Sequence, residues 1–214
     1  MMSLGRQTVV AWLGECATTI NDQRDYLVEL DAAIGDGDHG TNLNRGFEAV
    51  RELISSDNDS PPGTLLVAVG RTLVATVGGA SGPLWGSAFR QMGKELGDSP
   101  VFDATALAAG LEAGLAAIVE LGAAELGDKT MVDSLQPAVT ALRDRLAEGG
   151  DLSGALSTAA QAAEQGMRAT VPLKARRGRA SYLGERSIGH QDPGATSTAI
   201  IIRALDRAVA ASSP

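Results

Sequence analysis

The stretch Asp31-Ala-Ala-Ile-Gly35-Asp36-Gly37-Asp38-His39-Gly40-Thr41-Asn42 decides the fold. Gly35-x-Gly37-x-x-Gly40 fits the dinucleotide-binding fingerprint, but that needs a preceding strand inside a βαβ unit. No such strand is found. Upstream, Val9, Leu13, Ala17 and Ile20 recur at the spacing of a helix face. A calcium loop counted from Asp36 also fails, because Thr41 stands at the turn glycine position and Phe47 where a bidentate Glu is required. A solvated turn remains open as a reading of Asp36-Gly37-Asp38, since glycine reaches positive φ and aspartate bonds its own backbone. The other reading starts from three carboxylates within eight residues. Such groups resist full ionisation unless a cation sits among them. Oxygen-only ligands suit a hard ion, and Mg2+ completes its shell with substrate phosphates. The stretch reads first as a metal–nucleotide site that opens a helix.

The same helical spacing continues along the chain. Leu43, Phe47, Val50 and Ile54 share a face, as do Leu66, Val69, Leu73 and Val77, and then Leu84, Trp85, Phe89, Met92 and Leu96. Eight long helices are expected at about 7–22, 40–54, 63–77, 81–96, 103–121, 130–147, 151–169 and 193–211, with a short extra turn near Tyr26. Asp103 and Asp151 stand where N-caps belong, and Pro137 should kink one helix or mark a later start. Ile200-Ile201-Ile202 could suggest a strand, but the flanking alanines and the length favour a helix. The expected fold is all-α, one domain over residues 1–214.

Composition agrees. Hydrophobic residues make up 44% but aromatics only 3%, which favours closely packed helices rich in alanine and glycine over a β-sandwich. A net charge of −8 supplies no cationic field for nucleic acid. Cys16, the only cysteine, excludes an intrachain disulfide and a cysteine zinc cluster. No apolar stretch reads as long enough to span a bilayer, and no signal peptide is evident, so a cytoplasmic location without membrane association is expected.

Short connections make neighbouring helices antiparallel. The odd-numbered connections then share one end: Asp31–Asn42, Gly78-Gly-Ala80-Ser81-Gly82, Gly122–Thr130 and Val171–Pro193. The even ones are ordinary polar turns. Every chemically unusual loop falls on one end, as expected of a site at the mouth of a bundle. Gly78–Gly82 could bring backbone N–H groups to phosphate at a helix start, although no Gly-Lys-Ser/Thr follows to make a Walker A loop. Lys174, Arg176, Arg177, Arg179 and Arg186 concentrate positive charge in the long loop of an otherwise acidic protein. They suit a polyphosphate, whose transfer is mainly positioning and charge neutralisation; a solvated flexible loop is the other reading. Asp192-Pro193-Gly194 has the form of a capped helix start. His39 is read as a donor to phosphate in preference to a covalent carrier, His190 as structural, and Cys16, Trp12 and Trp85 as core.

Taken together, Asp31-x4-Asp36-Gly-Asp38-His39-Gly-Thr41-Asn42, Gly78-Gly-Ala-Ser-Gly82, Gly127-Asp-Lys-Thr-Met131, Gly178-Arg-Ala-Ser-Tyr-Leu-Gly-Glu-Arg186 and Asp192-Pro-Gly194 resemble the ADP-binding L subunits of dihydroxyacetone kinase. The resemblance spans nearly the whole chain. It implies an up-and-down barrel of eight antiparallel helices, with ADP or ATP and two Mg2+ ions at one rim. It implies that Asp31, Asp36 and Asp38 hold the ions, and that His39, Gly40, Thr41, Asn42, Ala80 and Ser81 contact phosphates. Gly122 and Met131 would line the adenine and ribose pocket, with Arg179, Asp192, Pro193 and Gly194 completing the site. Asp31, Asp36, Asp38 and Arg179 would carry the catalysis. In that family the nucleotide acts as a coenzyme recharged by a phosphohistidine on a multiphosphoryl subunit, and the phosphoryl passes to dihydroxyacetone on a separate K subunit. A homodimer stays open. The alternatives are an ATP-exchanging kinase subunit for another ketose, a non-catalytic nucleotide-sensing regulatory module, and a phosphohistidine carrier through His39.

Overall fold

The computed structural model describes residues 4–211; the remaining termini of the expected 1–214 domain lie outside the described residues. The helices are α1 (Arg6–Asp22), α2 (Arg24–Ile34), α3 (His39–Ser56), α4 (Pro62–Thr76), α5 (Ser81–Leu96), α6 (Ala104–Gly122), α7 (Val132–Ala147), α8 (Leu152–Ala169) and α9 (Pro193–Ala211). A 3-10 segment, Arg179–Ser187, lies between α8 and α9. The two-residue strands β1 (Leu4–Gly5) and β2 (Val101–Phe102) pair antiparallel, Leu4 opposite Phe102.

Each of α1, α3, α4, α5, α6, α7, α8 and α9 packs on the next, and α9 returns to α1. Eight helices thus close the expected barrel around an aliphatic core that runs from Leu4 to Val209. Within it Phe89 lies 5.4 Å from Trp12 and 5.8 Å from Trp85, and Phe47 and Phe102 are buried in the same core. Cys16 is fully buried in the same core. Asp103 and Asp151 cap α6 and α8, accepting from Ala106 N at 2.9 Å and Gly154 N at 2.8 Å. Ile200–Ile202 lie in α9, as their alanine-rich flanks predict.

Three local expectations are corrected. The turn expected near Tyr26 is a full helix, α2, which buries Leu27, Asp31 and Ile34 at i, i+4 and i+7. Polar Arg24, Asp25 and Glu29 mask that face in the sequence. Helix α7 begins at Val132 and carries Pro137 inside it. Proline leaves the carbonyl four residues back without its helical donor. That carbonyl belongs to Asp133, and α8 closes on it so tightly that a Cβ on Gly166 would lie 2.0 Å away. Finally, α6 is long and apolar enough, by length and composition, to cross a membrane. It carries exposed Glu112 and Glu120 and turns Leu107, Leu111 and Ile118 into the barrel core.

Candidate functional site

The connections α2–α3, α4–α5, α6–α7 and α8–α9 converge on one cavity of about 570 Å3 at the end of the barrel. Asp31 stands in the last turn of α2 and is only 9% exposed. Its Oδ2 accepts from the backbone N–H groups of Asp38 at 2.9 Å and His39 at 3.1 Å. The carboxylate therefore caps the start of α3 while facing the cavity, where the helix dipole favours negative charge. Asp36 and Asp38 are exposed on the turn between, and one oxygen from each of the three aspartates can lie within 4.8 Å of the others. Arg179 reaches in from the 3-10 segment, 3.1 Å from Asp36. Three carboxylates at this spacing carry more negative charge than one exposed guanidinium offsets, and their oxygens fit a shared hard cation.

Two glycines make the turn possible. Gly37 sits at φ +72°, a region that L side chains rarely adopt. A Cβ on Gly35 would lie 2.1 Å from Asp31 Oδ1. Gly35→Ala is thus expected to swing the Asp31 carboxylate aside and weaken Mg2+-dependent nucleotide binding by about tenfold or more. Calorimetric titration with MgADP measures the loss, and circular dichroism should show unchanged helicity.

His39, the first residue of α3, places Nε2 3.0 Å from Ser197 Oγ and Nδ1 3.3 Å from Ser81 Oγ. Ser197 donates its own hydroxyl to Gly194 O at 3.0 Å, so it accepts from His39 Nε2–H, and Nδ1 accepts from Ser81. Burial lowers the imidazole pKa, with Asp31 and Asp38 opposing. The ring is a neutral strut between α3, α5 and α9. With both nitrogens engaged it is poorly placed as a phosphoacceptor.

The remaining walls are simple. Gly78, Gly79 and Ala80 lead into Ser81 at the N-terminus of α5, while Leu84, Ile118, Gly122, Ala124 and Met131 form an apolar side. Asp192, Pro193 and Gly194 close the cavity at the start of α9. Of the residues expected at the site, Gly40, Thr41 and Asn42 are not brought to its lining. Gly40 packs on α2, where a Cβ would lie 2.1 Å from Arg24 O. Thr41 is exposed. Buried Asn42 accepts from Arg45 Nη2 at 2.8 Å and lies beneath Gly78. Sequence reasoning did not single out Lys129, Thr130 and Tyr182, which line the cavity together with Arg177 of the basic loop. The signal was near at hand: Lys129 and Thr130 belong to the Gly127–Met131 motif, and Tyr182 to the Gly178–Arg186 motif.

Asp192 is buried, and its pKa is pushed up from 3.8 to about 7. Burial is the main cause and repulsion from Asp133 adds to it, while the N–H of Ala195 and the charge of Lys129 pull the other way. The folded state therefore holds this proton more tightly than the unfolded chain does. Its stabilising contribution is full below about pH 4 and is lost as pH rises through about 7. Thermal unfolding of the ligand-free protein should show stability falling between about pH 4 and about pH 7 and levelling off above that. Asp192→Asn keeps a capping oxygen for Ala195 N–H and should flatten that slope, by at most about 4 kcal/mol.

Residues 33–207 match the DAK2 domain family. The chain is 42% identical over 204 residues to the ADP-binding subunit DhaL of PEP-dependent dihydroxyacetone kinase of Escherichia coli K12, covering 95% of this chain and 97% of that one. A Listeria innocua subunit, from PEP-dependent dihydroxyacetone kinase 1, is 40% identical over the same shares. Among solved structures, the dihydroxyacetone kinase of C. freundii in complex with AMP-PNP and Mg2+ superposes with a TM-score of 0.70 at 28% identity. That match covers 97% of this chain and 35% of the other, so this chain spans about a third of that kinase. A helical barrel with a cavity ringed by its loops, and full-length likeness to these kinase subunits, lead to one statement: the chain belongs to the DAK2 family, among the ADP-binding subunits of dihydroxyacetone kinase.

Proposed function

We propose that this chain carries ADP, cycling to ATP, with two Mg2+ ions as the coenzyme of a phosphotransferase acting on dihydroxyacetone. The observation that carries this reading is the convergence of Asp31, Asp36 and Asp38 to within 4.8 Å at the mouth of a cavity of about 570 Å3. A nucleotide bound there would set its phosphates at the α5 N-terminus, where Ala80 and Ser81 offer backbone N–H groups. Its base would lie against Leu84, Ile118, Gly122 and Met131. Magnesium held by the three aspartates would neutralise charge on the phosphates. Arg179, whose guanidinium reaches Asp36, would move its charge to the transferring phosphoryl group once Asp36 engages a metal.

The relatives covered almost end to end are described as ADP-binding subunits of PEP-dependent kinases. That supports a division of labour in which a partner K subunit binds dihydroxyacetone and a multiphosphoryl subunit recharges ADP through a phosphohistidine. This chain would then act as one cytoplasmic nucleotide-binding domain. The test is reconstitution with both partners, phosphoenolpyruvate and dihydroxyacetone, following the bound nucleotide by mass and ultraviolet absorbance. The expected result is phosphoryl transfer with ADP retained through many turnovers. Rapid exchange with free ATP would point to an ATP-consuming kinase subunit. Nucleotide binding without transfer in any mixture would point to a sensor.

A further inference from the structure

Lys129 is 1% exposed, yet among the described residues its ammonium meets no carboxylate within ion-pair distance. Nζ instead donates to main-chain carbonyls: Thr170 at 2.9 Å, Val171 at 3.4 Å, Leu173 at 3.1 Å, Ser187 at 2.8 Å, and His190. Three protons serve five acceptors, so the ammonium acts as a cation in a cage of carbonyl dipoles. Lys129 also holds a left-handed backbone, φ +64°. For a long side chain that is strain, kept only where the surroundings fix it. Asp133 does so by accepting from Gly127 N at 2.6 Å and Thr130 N at 2.7 Å.

The five carbonyls belong to two limbs of one segment. Thr170, Val171 and Leu173 lead out from α8, and Ser187 and His190 return toward α9. The limbs also bond each other: Gly189 N donates to Val171 O at 2.8 Å, Ala175 N to Ser187 Oγ at 2.9 Å, and Asp192 N to Thr170 Oγ1 at 3.0 Å. Lys129 gathers more acceptors than these bonds combined. Beyond this neck lies the arc that carries Arg177, Arg179 and Tyr182 to the cavity. We infer that Lys129 is a positioning residue: its ammonium is a built-in cation that closes the neck of the 170–192 segment and thereby sets Arg179 opposite Asp36. Carbonyls turned toward one point repel one another, and removing the charge leaves that repulsion with nothing to offset it. The inference rests on the role proposed above for Arg179 in nucleotide binding.

The test compares Lys129→Met, Lys129→Ala and Arg179→Ala in the full-length protein. Limited trypsin digestion reads the neck, because Lys174, Arg176, Arg177 and Arg179 lie exposed beyond it; titration with MgADP reads the site. Lys129→Met fills the space without the charge, and Lys129→Ala leaves room for n-propylammonium, which replaces the missing amine. The expected result is cleavage within 174–186 about tenfold faster in both Lys129 variants, with MgADP binding weakened to the level of Arg179→Ala. Propylammonium should restore both readouts in Lys129→Ala; tetramethylammonium, which has no N–H to donate, should restore neither. A filler role predicts instead a normal Lys129→Met and no rescue, and either finding overturns the inference. Faster cleavage with unchanged MgADP affinity, while Arg179→Ala binds weakly, overturns the link to Arg179. Should Arg179→Ala bind as the parent does, the nucleotide role of Arg179 fails, while trypsin still judges the neck. If the Lys129 variants do not fold, Ser187→Ala removes the hydroxyl that ties Ala175 N to Gly184 O. It should give the same pair of defects in milder form, and normal cleavage and binding in that variant overturn the inference.

Discussion

Replacing Asp36 and Asp38 together by Asn is expected to abolish Mg2+-dependent retention of nucleotide, with affinity for MgADP falling by about 100-fold or more. Asn keeps the volume of each side chain and removes the charge a hard cation needs. Neither side chain supports the fold: both are exposed on the turn, whereas Asp31, left intact, caps α3 through Asp38 N and His39 N. The ion pair that Arg179 loses is solvated on both sides, so little stability goes with it. Two mutually repelling carboxylates disappear at the same time. The melting temperature without ligand should therefore stay near that of the parent while the stabilisation conferred by MgADP vanishes. Unchanged ADP content in the purified double variant would refute the assignment.

The largest expected effect on stability lies where α4 and α5 touch backbone to backbone. Glycines at 63 and 70 on α4 meet glycines at 86 and 93 on α5. A Cβ on Gly93 would lie 2.4 Å from Gly63 O and 2.8 Å from Val67 N, and one on Gly70 2.5 Å from Gly86 O. Backbone atoms cannot rotate aside as a side chain can, so Gly93→Val must part the helices. The expected loss is about 3 kcal/mol or more, a fall in melting temperature of roughly 10 °C for a domain of this size. Gly110 is the control. It sits in the interior of α6, and the nearest atom to a Cβ added there, Met92 O, would lie 3.7 Å away. Gly110→Ala should leave stability unchanged or raise it by about 0.5–1 kcal/mol. Equal destabilisation by both substitutions would show that helix contact at α4 and α5 is not the cause.

Much of this architecture is legible in the residues. The period of Leu43, Phe47, Val50 and Ile54 marks a helix because one face must be buried, and all four are at least partly buried in the barrel. The alternation of ends follows from short connections, which is why Asp36, Ser81, Met131 and Arg179 line one cavity although up to 143 positions (179 minus 36) separate them in sequence. What escapes the sequence depends on contacts between distant segments. Helix α2 hides because only three of its residues, Leu27, Asp31 and Ile34, are buried, and one of them is charged. Thr41 and Asn42 read as phosphate ligands from their place in a motif, but a helix turns its residues by about 100° each, which carries Thr41 to the exposed side, while Asn42, on the face of His39, is covered by Gly78 and bonded to Arg45. The spacing of glycines 63, 70, 86 and 93 is visible, but not that the two pairs oppose each other. The role of Lys129 leaves no sequence signal, because its partners are carbonyls, which every residue possesses.

The proposed site requires that magnesium make a diphosphate acceptable to three clustered aspartates. The direct measurement is calorimetric titration of ADP into nucleotide-stripped protein, once with excess Mg2+ and once with EDTA. Binding should be tight in magnesium and weaker by about 100-fold or more in EDTA, since the bare aspartates repel the phosphates. Equal affinity in the two buffers would contradict the assignment of these carboxylates.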